Sequence, residues 1–220
     1  MTPAPSRRST VPLATTLLIV VALARPAACH QLDEYLQATI VEIDPNAIRL
    51  KINLTPGVEV AARVLDRIDR NHDQVISPQE AEAYGEALRL DLGVRLDGKD
   101  VPLTLATIDA PPPDDLRTGW AFIRAEFTAS FTPAAEGTHH LTIENRHLPA
   151  ISVYLLNAAM PASRDIRIAR QSRNANQSRG EIEFTTPPRA KPSPAIAIAA
   201  SVAALLAALL VTMWRTRPKR

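Results

Sequence analysis

Apolar and polar residues alternate with a period of two over much of this chain, the pattern of strands that bury one face. Ile48, Leu50, Ile52 and Leu54 alternate with Arg49, Lys51, Asn53 and Thr55. Asp44, Pro45 and Asn46 are turn formers, so this stretch predicts the second arm of a hairpin begun by residues 35–43. Asp97-Gly98 predicts a second hairpin, between 94–96 and 101–105. Ala121, Ile123, Ala125, Phe127, Ala129 and Phe131 share one face of a long strand, with Arg124, Glu126 and Thr128 opposite. Past Gly137, residues 138–144 turn Leu141 and Ile143 inward, and 151–156, 166–170 and 181–185 follow. About seven or eight short strands at this spacing predict a mainly β chain, an antiparallel immunoglobulin-like β-sandwich.

The period changes between residues 58 and 92. Val60, Val64, Leu65 and Ile68 make one helical stripe, and Tyr84, Ala87 and Leu88 make another. Between them runs Asp69-Arg-Asn-His-Asp-Gln-Val-Ile-Ser-Pro-Gln-Glu80, the oxygen-ligand spacing of an EF-hand loop. Asp69, Asn71 and Asp73 fall at positions 1, 3 and 5, the Val75 carbonyl at 7, Ser77 at 9 and Glu80 at 12. A hard cation takes six or more oxygens, and alternate residues of a tight loop aim inward, so the pattern points to Ca²⁺. Residues 58–92 therefore read as a helix-loop-helix inserted into the sandwich.

The same residues have a plainer reading. Ser77, Pro78 and Glu80 form a helix-start signature, and Asp69 to Asp73 could be an ordinary polar turn. EF-hands begin their second helix at this point too, so the capping signal fits both readings. Gln74 stands at position 6, where glycine is usual because the backbone there is left-handed. The loop also has no second copy. Both features predict weak affinity, about 10⁻⁴–10⁻³ M.

The two ends predict where the chain resides. Arg7 and Arg8 precede an uncharged apolar run over 11–24, and Ala27, Ala28 and Cys29 are small, so residues 1–29 read as a signal peptide. Cleavage after Cys29 leaves His30 first; lipidation of Cys29 is the alternative. Residues 195–214 carry no charge and are long enough to span a bilayer as a helix. Trp214 marks the interface, and the basic tail 215–220 predicts a cytosolic C-terminus. The expected arrangement is a single-pass protein of the cytoplasmic membrane. Its main domain, 30–186, stands on the periplasmic side, joined to the span by a stiff Pro-rich linker, 187–194.

A formal net charge of +2, with much of its basic side in the terminal segments, argues against a nucleic-acid partner. The one cysteine lies in the leader, so the exported domain has no disulfide. His30, as a mature N-terminus, offers an amine and an imidazole together and is a second candidate metal ligand, for copper or nickel. His139 and His140 fall on opposite faces of a strand and do not chelate as a pair; His72 is at a non-ligand loop position; Asn145-Arg146-His147 reads as a polar turn. No nucleophile with its base, glycine-rich phosphate loop, HExxH or CxxC is present, so catalysis is not expected.

Taken together, His30-Gln-Leu-Asp-Glu-Tyr-Leu-Gln37, Leu54-Thr-Pro-Gly57, the loop at 69–80 and Asn145-Arg-His with Ile151-Ser-Val-Tyr154 resemble a bacterial family. It is the exported domain associated with HupE/UreJ-type membrane proteins, a group linked to nickel or cobalt handling. The resemblance spans most of 30–175. It implies an accessory role beside a membrane permease, because this chain has one expected membrane helix where the permease has a bundle. A structural or adhesion module without metal is a further alternative.

Overall fold

The computed structural model describes residues 33–132 and 135–187. The leader, Cys29, His30, the linker beyond its first residue, the expected span and the basic tail lie outside the described residues. Among the described residues no helix is long and apolar enough to cross a membrane.

The chain is mainly β, in two five-stranded sheets. β1 (Tyr35–Asp44) and β2 (Ala47–Pro56) form the first hairpin, with Asp44 opposite Ala47 across Pro45-Asn46. Two helices follow, α1 (Val58–Ile68) and α2 (Pro78–Asp91), and α2 runs directly into β3 (Leu92–Leu96). After β4 (Lys99–Asp100) come β5 (Thr104–Asp109), the short α3 (Pro113–Arg117) and β6 (Ile123–Ser130). β7 (Gly137–Asn145), β8 (Ser152–Ala158), β9 (Arg167–Arg173) and β10 (Arg179–Thr186) complete the fold. One sheet has the order β5-β6-β2-β1-β8, the other β4-β3-β7-β10-β9.

The expected alternation produces the core. Ile48, Leu50, Ile52 and Leu54 of β2 are fully buried, as are Ile123, Ala125, Phe127 and Ala129 of β6, which face them in register. From the other sheet, Leu141, Ile143, Ile182 and Phe184 close the same core. Each such buried Leu, Ile or Phe contributes about 1.5–3 kcal/mol, which is how a domain without disulfides holds together.

Three expectations need correction. The sheets are not wholly antiparallel: β8 pairs parallel with β1, Tyr35 opposite Ser152. β8 is followed by β9 in the other sheet, so it cannot return as a hairpin and instead fills an edge. The second hairpin is also shorter than expected. Asp97 (φ 50°) and Gly98 (φ 78°) form its turn, but the return strand is only Lys99 and Asp100, extended by the Val101 N–H on the Val94 carbonyl at 2.9 Å, and Thr104–Asp109 crosses to the first sheet beside β6. Finally, α2 buries Ala81, Tyr84, Gly85 and Leu88, while Ala87 is exposed. The stripe therefore runs one residue to the side of that read from Ala87.

Strand direction sets the polarity of the domain. α1 leaves from the Pro56 end of β2, and that end is tied to the other sheet by the Asn145 side-chain amide donating to Gln37 Oε1 at 2.9 Å. β10 starts at this end and finishes at the other, where Thr186 pairs with Gly137. The helices and the last strand residue thus occupy opposite ends of the sandwich.

Candidate metal centre

The loop at 69–80 is framed by two well-anchored helices. α1 turns Val60, Ala61, Val64, Leu65 and Ile68 inward and ends at Asp69, whose N–H donates to the Leu65 carbonyl at 2.8 Å. α2 starts with a complete capping box. The Glu80 N–H donates to Ser77 Oγ at 3.3 Å, and the Ser77 N–H returns a bond to Glu80 Oε2 at 3.0 Å. Such a cap contributes about 1 kcal/mol.

Between the helices the backbone turns twice through the left-handed region, at His72 (φ 58°) and at Gln74 (φ 66°). The second is position 6, where the sequence lacks the usual glycine. The side-chain oxygens of the loop cap these turns. Asp69 Oδ2 accepts the Gln74 N–H at 3.0 Å, Asn71 Oδ1 accepts the Asp73 N–H at 2.9 Å, and Asp73 Oδ1 accepts the Val75 N–H at 2.9 Å. Glu80 reaches back across the loop: its Oε1 takes the N–H groups of Arg70 and Asn71 at 3.0 and 3.4 Å. The Ser77 backbone and hydroxyl, followed by these N–H groups, hold the Glu80 carboxyl below its ordinary value.

Asp69 is the exception in this polar loop. It is buried, and its Oδ1 has no hydrogen-bond partner. A buried carboxylate oxygen left unpaired costs about 1–3 kcal/mol or more, so it marks a place where a ligand is missing from the account. Every side-chain donor at the predicted positions is oxygen, the chemistry that a hard divalent cation selects. The residues therefore fit Ca²⁺, with Asp69, Asn71, Asp73, Ser77, Glu80 and the Val75 carbonyl as its holders; the ion would supply charge neutralisation and a cross-link between the two helix ends. Among the described residues no three His, Cys, Asp or Glu side chains converge as a metal-holding group. The Glu80 oxygens instead accept loop N–H groups and the Ser77 hydroxyl, and the Asp73 oxygens accept the Val75 N–H and, at 2.9 Å, the Asn71 side-chain amide.

No family model, curated protein or solved structure matches the chain.

Beneath the loop lies a polar chain that the sequence pattern did not reveal. Tyr84 of α2 bonds through its hydroxyl to Tyr35 of β1 at 2.7 Å and to His147 Nε2 at 2.9 Å. His147 Nδ1 continues to Asp91 Oδ2 at 2.8 Å. Both tyrosines and His147 are buried. Burial raises the pKa of both hydroxyls, and burial lowers that of His147, so the imidazole is neutral: Nδ1–H donates to Asp91 and Nε2 accepts from Tyr84. Asn145-Arg146-His147 thus ends a strand as expected but is no simple polar turn. Asn145 and His147 are each 3 % exposed. The available signal was Tyr84 on the apolar stripe of α2: a buried tyrosine needs a partner for its hydroxyl.

The remaining histidines divide as expected. His72 and His140 are exposed, while His139 is buried on the opposite face of β7. His139 Nδ1 lies 2.8 Å from Asp97 Oδ2, and Nε2 lies 2.7 Å from the Ala135 carbonyl. The Asp97 and Ala135 oxygens both accept, which favours a proton on each ring nitrogen; Nε2 also lies 3.3 Å from Thr186 Oγ1. Burial works against that charge, but the bonds to Asp97 and Ala135 outweigh it and raise the His139 pKa above its ordinary value.

Proposed function

We propose that this chain is an exported, membrane-anchored protein that binds Ca²⁺ through an EF-hand at residues 69–80, in a structural and non-catalytic role. The observation that carries the reading is Asp69 Oδ1, a buried carboxylate oxygen without a partner at the first ligand position. The left-handed backbone at Gln74 supports it, since this is the conformation the loop type requires there.

A structural role is favoured over a sensing one by the way α2 is held. Sensor EF-hands swing one helix away to expose a groove. Here Tyr84 is bonded into the sandwich at two points, and Gly85 packs so closely on β5 that an added Cβ would lie 2.7 Å from Leu105 Cδ2. Swinging α2 out would break that buried chain, so the ion clamps rather than switches.

Calorimetric titration of the full chain in lipid nanodiscs tests the reading. Calcium heat saturating at millimolar ion is expected, and loss of that heat in Asp69→Ala with Glu80→Ala. Equal binding by the double variant would overturn the assignment.

A further inference from the structure

His147 and Leu148 are fixed with unusual thoroughness. The His147 carbonyl accepts two side-chain bonds, from Gln37 Nε2 at 2.8 Å and Tyr154 OH at 2.9 Å. The Leu148 carbonyl accepts the Ile151 N–H at 3.1 Å and Ser152 Oγ at 2.8 Å. These bonds hold Leu148 at φ 48°, in the left-handed region, although it is bulky and precedes Pro149. Both properties oppose that conformation. Strain of this kind persists only where the surroundings over-determine it, and it gathers at ligand sites.

The strained turn forms one wall of an open surface cavity of about 560 Å³, lined by half-buried Leu148 and Ile151, by exposed Pro149 and Ala150, and by exposed Arg63, Asp66 and Arg67 of α1. That volume is in the range of small-molecule sites. Arg63 and Arg67 stand one helical turn apart, and neither forms an ion pair with a carboxylate among the described residues. Asp66, also unpaired there, leaves the lining with one net positive charge, which suits a monoanion better than a phosphate dianion. The opposite wall, with Leu148, Pro149 and Ile151, is apolar.

We propose that this cavity binds a small apolar carboxylate. Its headgroup pairs with Arg63 and Arg67, and its hydrocarbon part lies on Leu148, Pro149 and Ile151. The same chemistry is offered by a medium-chain fatty acid and by the free C-terminus of a peptide ending in an apolar residue.

Titration of the full chain in nanodiscs, in the presence of EDTA so that the result is independent of calcium, tests this. The probes are octanoate, N-acetyl-Leu-Leu, its C-terminal amide and inorganic phosphate. At least one of the two acids binds at millimolar concentration or below, and the tighter of them identifies the source. The amide and phosphate bind at least about tenfold more weakly. Arg63→Gln with Arg67→Gln weakens the acid by a similar factor without changing the melting temperature, since both side chains are exposed. Leu148→Gly, which removes the apolar contact but accepts the backbone, weakens it as well. Absence of binding by both acids, equal binding of acid and amide, equal binding of phosphate, or unchanged binding by the double arginine variant would each overturn the proposal.

Discussion

The hydroxyl oxygens of Tyr35 and Tyr84 lie 2.7 Å apart, joining the first strand of the sandwich to the second helix of the insertion. Neither group reaches water, and the bond extends through His147 to Asp91 at the far end of the same helix. The insertion is therefore wired into the core, not merely laid on it.

Tyr84→Phe removes the middle hydroxyl and strands a partner on each side. Urea unfolding should show a loss of about 1–3 kcal/mol, the cost of buried polar groups left unpaired. Tyr35→Phe should cost less, because it ends the chain. In the double variant the losses should be less than additive, since both substitutions delete the same bond. Strict additivity in this cycle would show that the hydroxyls are not coupled.

Gln74 holds a left-handed backbone at φ 66°. That conformation costs a residue with a Cβ roughly 1–2 kcal/mol, while glycine adds about 0.4–1 kcal/mol of unfolded-state freedom. Gln74→Gly should thus stabilise the calcium-free protein modestly, by up to about 1.6 kcal/mol. Melting in EDTA reads this directly, and calorimetry should show tighter calcium binding. A lower melting temperature would contradict the backbone assignment.

The two buried histidines pull stability in opposite directions across one pH range. His139 has a raised folded pKa, so its contribution is complete below the unfolded value, about 6.5, and is lost as pH rises through the folded value. His147 has a lowered folded pKa; its neutral form stabilises above about 6.5, and that contribution falls away as pH drops through 6.5 toward the folded value. Unfolding free energies of wild type and His139→Asn should converge as pH rises. Those of wild type and His147→Asn should converge as pH falls. Proton titration curves of the two imidazoles, followed by NMR, should bracket the ordinary histidine value from either side.

Gly85 lets α2 lie close on β5. An alanine there gains about 1 kcal/mol in helix propensity but brings its Cβ to 2.7 Å from Leu105 Cδ2 and 3.2 Å from Ile108 Cδ1. Overpacking costs about 1–3 kcal/mol, so the net effect should be destabilising. Combining Gly85→Ala with Leu105→Val opens room and should recover part of the loss. Thermal melts of the single and double variants decide between steric and propensity control.

The strands were legible because half-buried sheets leave a period-two imprint, as in Ile48 to Leu54 facing Ile123 to Ala129. The start of the second helix was legible because Ser77, Pro78 and Glu80 form a capping signature, and the structure carries that capping box. Two kinds of information were not. Strand partners depend on crossovers that no local pattern records, so β8 lying parallel to β1 and β5 leaving its expected hairpin could not be read. The Tyr35, Tyr84, His147 and Asp91 chain joins residues as much as 112 positions apart in sequence, and each of them alone looks ordinary. Leu148 is hidden for a similar reason, since leucine before proline is a poor sign of a left-handed backbone.

The direction of β10 bears on what the loop encounters. The strand runs eight residues from the helical end to Thr186, and at about 3.3 Å per residue that is some 25 Å of height. If the proposed anchor follows this strand, residues 69–80 would lie at the end of the domain away from the bilayer. Cations crowd against anionic headgroups only within a Debye length, about 8–10 Å at ordinary ionic strength. The loop would then equilibrate with the calcium of the open compartment and ignore the enriched layer at the bilayer surface.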